Sequence, residues 1–159
     1  MDFASKEFIE QMGIIAQRSG SPRISGRISG LLIVLGEPVT LQDIADTLQV
    51  SKASASTNAR LLRDRGMVRL TSIPGKRQDY YELVPNPYQS MLEMLSKELH
   101  QAAKEIAHTM EKFSPEQAEV LSRVENLQNF YQGSATFLAE TAAKLAMPTM
   151  NPTQGGESQ

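Results

Sequence analysis

The sequence predicts a mainly α-helical chain with one small β-hairpin. Three observations carry this. Apolar residues recur at helical spacing through most of the first 66 positions, and again from Pro87 to Ala146. The period shortens to alternation only around Met67–Val84, on both sides of a Pro-Gly turn. Capping and glycine stop signals cut the helical stretches unequally, so that a short helix, a three-residue turn and a longer helix stand just before the hairpin.

The first helix runs from Asp2 to Arg18. Phe8, Met12 and Ile15 keep the helical rhythm, with Ile9 and Ala16 beside them, and Gly20 is a suitable stop. Ser21 and Pro22 then read as an N-cap and a first-turn proline. The helix they open runs to Leu35, and Gly36 ends it before the Glu37-Pro38 turn. It contains the tandem repeat "RISGRISG", Arg23 to Gly30. Four residues turn a helix by about 400°, so equivalent residues stack along one side. Ile24 and Ile28, continued by Leu31, Leu32 and Leu35, face the core. Gly26 and Gly30 form a bare strip. Glycine inside a helix costs about 1 kcal/mol relative to alanine, so two of them predict a close crossing with the N-terminal helix of the same chain or of a partner. The repeat has no P-loop lysine and follows Ser-Pro rather than a strand, which excludes a phosphate-binding loop.

Thr40 to Leu48 is a short helix with capping-box spacing between Thr40 and Asp43 and an apolar face of Leu41, Ile44, Ala45 and Leu48. Gln49-Val50-Ser51 is a tight turn, and Ser51 caps the next helix, Lys52 to Arg65, which Gly66 closes. "MVRLTS" and "DYYELV" around "IPGKRQ" make the hairpin. Two long helices follow. One runs from Pro87 to Phe113, about 40 Å of helix, with Leu92, Leu95, Leu99, Ala102, Ile106 and Met110 on its apolar side. Ser114-Pro115 starts the other, which runs to Ala146 through Leu121, Val124, Leu127, Ala135, Leu138, Ala142 and Leu145. Pro148 to Gln159 is polar and rich in Pro and Gly, and is expected to be disordered.

This order of elements is that of a winged helix-turn-helix. The organisation expected is therefore an N-terminal dimerisation helix (1–20), a winged helix-turn-helix DNA-binding domain (21–84), a C-terminal helical dimerisation region (85–146) and a disordered tail (147–159). Charge agrees. Pro22–Tyr81 holds nine Lys/Arg against five Asp/Glu, while the remainder holds seven against thirteen. A basic middle between acidic flanks points to an anionic partner, here double-stranded DNA. The chain has no cysteine, which excludes disulfides, thiolate metal sites and cysteine catalysis together. No apolar run exceeds the five residues of Leu31–Leu35, far short of a membrane span of about 20. The first ten residues lack the pattern of a signal peptide, so a cytoplasmic protein is expected. Nucleotide-loop, metalloprotease and serine-hydrolase motifs are absent, which argues against an enzyme. His100 and His108 stand about 80° apart on one helix with Lys104 between them. No metal or cofactor is expected.

A recognition helix needs an apolar docking face and an opposite face of donors, its N-terminal end entering the major groove. Val50, Ala55, Ala59 and Leu62 form the first. Ser51, Lys52, Ala53, Ser54, Ser56, Thr57 and Arg60 are the candidate DNA-binding residues of the second. Small residues permit close approach, and Arg60, toward the middle of the helix, suits a phosphate better than a guanine. Asn58 has two readings: a bidentate contact to adenine, or a side chain bonded to local backbone or the hairpin. Lys76 and Arg77 at the hairpin tip are candidates for phosphate or minor-groove contact. Arg63, Arg65 and Arg69 extend the basic stretch, the last two as surface charges paired with Asp64 or glutamates. Arg23 and Arg27 either neutralise the acidic C-terminal helices or touch the DNA backbone.

The motifs "FIEQMGIIAQRSGSPRISGRISGLLIVL", "VSKASASTNARLLRDRGMV" and "IPGKRQDYYEL" resemble, in order, those of the MarR superfamily, and more closely its GbsR-type branch. The resemblance covers roughly residues 7–84, and the two C-terminal helices match by pattern. It implies a dimeric transcriptional regulator. The wing departs from the family. Many such wings carry an acidic-x-Arg triplet, and here the triplet is Lys76-Arg77-Gln78. Either Arg77 enters the minor groove or it touches phosphate only.

Dimerisation has its own physical argument, because the apolar faces of the first and last helices exceed what a 65-residue lobe can cover. A C2 homodimer sets two recognition helices about 34 Å apart and implies a near-palindromic operator. Tyr88, Met91, Phe113 and Tyr131, with Met94, Met110, Phe130 and Phe137 near them in the pattern, are candidates for an effector pocket; the same side chains serve equally as dimer core. By resemblance, the effector would be a quaternary ammonium compound and the regulator a repressor. The competing class is a winged-helix protein-interaction or assembly module that does not read DNA.

Overall fold

The computed structural model describes residues 1–146; the tail expected to be disordered lies outside the described residues. The chain forms two compact units, Met1–Met94 and the residues from Leu95 onward. The elements in order are α1 (Phe3–Arg18), α2 (Arg23–Leu35), β1 (Val39–Thr40), α3 (Leu41–Leu48), α4 (Lys52–Asp64), β2 (Val68–Ser72), β3 (Asp79–Leu83), α5 (Pro87–Met110), a 3-10 turn (Pro115–Gln117) and α6 (Ala118–Ala146). The architecture is mainly helical with a small antiparallel sheet, as the spacing predicts.

Caps set most of the boundaries. The Asp2 carboxylate accepts from the Ser5 backbone N–H at 2.8 Å and opens α1. Thr40 and Asp43 form the full reciprocal box at the start of α3, Thr40 Oγ1 accepting from the Asp43 N–H and Asp43 Oδ2 from the Thr40 N–H. Aspartate therefore takes the place of the usual glutamate here. Ser21 behaves otherwise than expected. Pro22 occupies the N-cap position of α2 without a side-chain bond, and Ser21 Oγ instead accepts from Arg65 Nη1 at 2.8 Å. Ser114 caps through Gln117, but the chain it starts is one 3-10 turn before α6 begins. The sheet has three strands, in the order β1-β3-β2. The hairpin pairs Leu70 with Tyr81 and Val68 with Leu83, and two-residue β1 adds Val39 opposite Tyr81. No alternating pattern can announce a strand of two residues.

In the first unit α2 is the central helix. Ile28, Leu31 and Leu32 are almost wholly buried among Ile9, Val39, Ile44, Ala45, Leu48, Ala55, Ala59, Leu62 and Val68. Each large aliphatic side chain so buried contributes about 1.5–3 kcal/mol. The glycine strip of the repeat makes the close crossing its spacing implies, and the helix it crosses is α1 of the same chain; Leu35, expected to face the core, is instead 38% exposed at the helix end. A Cβ built on Gly26 would overlap the Met12 carbonyl oxygen and lie 2.6 Å from Ala16 Cβ. One on Gly30 would lie 3.1 Å from Ile9 Cα. Ser25 and Ser29 are buried on the same helix; Ser25 Oγ donates to the Pro22 carbonyl, and Ser29 Oγ has no partner.

Arg23 and Arg27 find a different carboxylate from the ones expected. Both meet Glu10 of α1, on the flank of the glycine crossing. Arg23 Nη2 donates to Glu10 Oε2 at 2.8 Å, and Arg27 Nε lies 2.6 Å from Glu10 Oε1. The Arg27 N–H does not aim at the carboxylate, so that contact is ionic in character. Partial burial alone raises the Glu10 carboxyl, but the Arg23 hydrogen bond and the Arg27 charge outweigh it and hold the group below its ordinary value of 4.5.

In the second unit the buried positions are small ones. Ala103 of α5 and Ala135 and Ala142 of α6 are buried, and Ser96 Oγ donates to the Ala135 carbonyl at 2.7 Å. Within each helix the two positions stand seven residues apart, which keeps them on one face. Of the large side chains expected on these faces, Leu95, Leu127 and Leu145 are exposed, whereas Leu92, Leu99, Ile106, Leu121, Val124 and Leu138 are half-buried; Phe130 and Phe137 are exposed too. Phe3, Phe8 and Ile15 of α1 are exposed as well.

Two outcomes follow. Gly26→Ala should destabilise by about 1–3 kcal/mol through overpacking, against its gain in helix propensity, and Gly30→Ala should cost less; chemical denaturation of the two variants measures the order. Because the folded Glu10 carboxyl is depressed, its contribution is present above its unfolded value and lost as pH falls through the folded one. The melting temperature should therefore drop more between pH 5 and pH 3 in the wild type than in Glu10→Gln.

Candidate nucleic-acid interface

Helix α4 is placed by Ala55, Ala59 and Leu62, all buried, with Val50 half-buried at its entry. Alanine at two of these positions lets the α4 backbone sit close on α2 and α3. Sliding is thereby limited and the opposite face is held outward. Of the residues expected to meet DNA, Ser51, Lys52, Ala53, Thr57 and Arg60 are exposed, and Ser54 and Ser56 are half-buried. The turn before α4 bends through Gln49, which holds φ 52° and ψ 48°, a left-handed conformation uncommon outside glycine.

The N-terminal end of α4 is set up for an anion. Ser51 Oγ accepts from the Ser54 N–H at 3.1 Å, and the Ala55 N–H donates to the Ser51 carbonyl. The N–H groups of Lys52 and Ala53 are left for an outside acceptor, at the positive end of a 13-residue helix. The Ser51 hydroxyl proton is free to donate as well. Thr57 differs: its hydroxyl already donates to the Ala53 carbonyl at 3.1 Å, so toward DNA it offers lone pairs and a methyl group.

Asn58 resolves in favour of the local reading. It is 8% exposed on the inner side of α4, and its Nδ2 donates to the Ser54 carbonyl at 2.9 Å. Its Oδ1 is buried without a partner. It does not face the groove-reading side.

Lys76 and Arg77 are exposed at the hairpin tip, where Gly75 takes φ 81°. Only glycine accommodates that angle readily. Among the described residues, Lys52, Arg60, Lys76 and Arg77 pair with no carboxylate, whereas Arg69 meets Glu82 across the hairpin at 2.8 Å and Arg63 stands 3.8 Å from Asp64. Arg65 pairs with the Ser21 hydroxyl rather than an acid. Paired surface charges are partly neutralised; the unpaired cations lie at the α4 surface and the hairpin tip, where a phosphate backbone would be met.

The four effector-pocket candidates divide between the units. Phe113 and Tyr131 line one groove of about 340 Å³ in the second unit, with Ile106, Val124 and Leu127. Tyr88 lines a cleft of about 360 Å³ in the first unit, with Leu32, Leu83 and the carboxylates of Glu37 and Glu82. Met91, also of the first unit, is half-buried. Among the described residues no group of three or more His, Asp or Glu could hold a metal ion, and no helix is long and apolar enough to cross a membrane. One neighbourhood was not legible in the sequence: Lys6 of α1 shares a cleft with Thr47, Leu48 and Gln49 at the turn before α4.

Comparison with known proteins agrees with this geometry. Residues 31–78 match the model of the MarR family. The chain is 35% identical over 83 residues to the HTH-type transcriptional regulator MmpR5 of Mycobacterium tuberculosis, covering 52% of this chain and 50% of that one. It is 27% identical over 93 residues to the putative HTH-type transcriptional regulator YvaV of Bacillus subtilis, covering 58% and 52%. It is 21% identical over 123 residues to the HTH-type transcriptional repressor OpcR of the same organism, covering 77% and 66%. The matches to the first two span about half the length of each relative. A crystal structure described as a transcriptional regulator shares the fold, with a TM-score of 0.70 at 24% identity over 89% of this chain and 99% of that one. Within the winged helix-turn-helix, residues 31–78 are thus similar to the MarR family.

The Ser51 cap gives a direct check on how α4 is started. Ser51→Ala should cost about 1 kcal/mol and Ser51→Gly only a few tenths, as read from denaturant midpoints.

Proposed function

We propose that the chain is a homodimeric, sequence-specific DNA-binding transcriptional regulator, acting as a repressor, and that it belongs with the GbsR-type branch of the MarR superfamily. The observation that carries the reading is the outer face of α4: an anion-ready helix end and unpaired cations on a winged helix-turn-helix whose inner face is fully docked. Relatives named as HTH-type regulators support a regulator rather than an enzyme, and OpcR, named a repressor, supports the sign of the control. The exposed Phe3, Phe8, Phe130 and Phe137 support a second copy as the cover for α1 and α6. Two-fold symmetry then calls for a near-palindromic operator.

In this reading, α4 enters the major groove with Ser51–Ser54 foremost. Ser56, Thr57 and Arg60 lie along the backbone, and Lys76 and Arg77 follow the neighbouring minor groove. A quaternary ammonium effector, with candidate contacts either at Tyr88 and Met91 of the first unit or at Phe113 and Tyr131 of the second, changes the spacing of the two recognition helices. A shift of a few Å breaks the register of the two half-sites and removes the avidity of bivalent binding. Only an effector that binds the two arrangements unequally has this result. The working compartment is the cytoplasm, where the operator would be.

The test is the salt dependence of DNA affinity. The wild type should show a steep log–log slope, and the Lys52→Ala/Arg60→Ala/Arg77→Ala triple variant should lose nearly three units of it, about 0.9 per phosphate contact. A flat wild-type slope would leave the winged helix as a protein-interaction module.

A further inference from the structure

The N-terminal helix carries a group that packing and ion pairing do not use. Lys6 is exposed, and among the described residues it meets no carboxylate. It lines a cleft of about 340 Å³ with Glu10 and Arg27 on one side and Thr47, Leu48 and Gln49 on the other. Glu10 is the one carboxylate in that lining, and Arg23 and Arg27 already hold it. Nearby on α3, Asp46 accepts from Gln42 Nε2 at 2.9 Å. The Thr47 hydroxyl and the Gln49 amide, both exposed, have no hydrogen-bond partner among the described residues. Three unpartnered donor groups thus line one cleft whose free charge is positive.

Position says which anion they suit. Gln49 stands two residues before Ser51, the cap of α4, and ends α3 in a left-handed conformation. Two residues span at most about 7 Å. A nucleic-acid strand rises about 3.4 Å per phosphate. A strand with one phosphate on the α4 N-terminus therefore brings a neighbouring one within reach of this cleft.

We propose that Lys6, with Thr47 and Gln49, binds a backbone phosphate of the DNA strand next to the one held by the α4 N-terminus. The inference rests on the DNA-binding reading above. It gives the first helix a second role beside packing on α2, and it makes Lys6 a positioning contact that carries no sequence preference.

The experiment measures the affinity of the full chain for an operator duplex across a salt series, in wild type, Lys6→Ala and Lys6→Arg. Lys6→Ala should lower the slope by about one unit and weaken operator and non-operator duplexes by the same factor. Lys6→Arg should keep the wild-type slope. All three proteins should melt at the same temperature, since Lys6 is exposed and, among the described residues, unpaired. A Lys6→Ala slope equal to a steep wild-type slope overturns this inference and leaves the DNA-binding reading standing. A flat wild-type slope overturns both.

Discussion

The fold depends on how closely α1 can lie on α2. That approach is set by Gly26, where a single added carbon would overlap the α1 backbone, and by Gly30, where it would press tightly on Ile9 and Met12. α2 is also the helix against which α3, α4 and the sheet assemble, through Ile28, Leu31 and Leu32. A helix covered on several sides cannot present large residues on all of them. The repeat resolves this by giving isoleucine to the lobe and glycine to α1. The Glu10–Arg23–Arg27 cluster then closes the flank of the crossing with charges whose long stems cover the seam.

The same economy of size shapes the interface. Ala55 and Ala59 bring α4 close to its supports. With its inner face so fixed, the outer face becomes a rigid display of Lys52, Ala53, Thr57 and Arg60. The Ser51 cap consumes one lone pair and leaves a hydroxyl proton and two backbone N–H groups pointing outward. Electrostatics is sorted by pairing: Arg69 and Arg63 have carboxylates nearby, whereas among the described residues Lys52, Arg60, Lys76 and Arg77 have none. Recognition by a helix of this kind follows from what is left unpaired after folding.

Much of this is legible in the sequence, and the reasons are local. The Thr40/Asp43 box, the Ser51 cap, the stop at Gly66 and the two strands of the hairpin rest on short-range signals, and the structure has all of them, though Leu70, an apolar position of the first strand, is exposed. The glycine strip also announces its crossing, because glycine in a helix interior weakens the helix unless a close neighbour needs the space. What is not legible depends on partners far apart in the chain. Ser21 reads as a cap because its neighbours suit one, but Arg65 claims its hydroxyl. The partner of Arg23 and Arg27 cannot be chosen among many carboxylates without the crossing that selects Glu10. β1 is too short to show a period. The packing of α5 on α6 is only partly legible: Ala135 and Ala142 fall in the helical rhythm, but Ser96 and Ala103 lie outside it, and no spacing announces the bond from Ser96 to the Ala135 carbonyl. Asn58 has only its angle on the helix to go by in sequence; its bond to the Ser54 carbonyl decides between the two readings.

The central claim is that the outer face of α4 reads DNA, once per protomer of a two-fold dimer. Hydroxyl-radical footprinting on genomic fragments captured by the protein tests it most directly. The account predicts two protected patches related by a near-palindrome, centred about one helical turn or 10–10.5 base pairs apart, with lighter protection in the flanking minor grooves. Uniform protection without a repeated spacing, or no captured fragments at all, would contradict it.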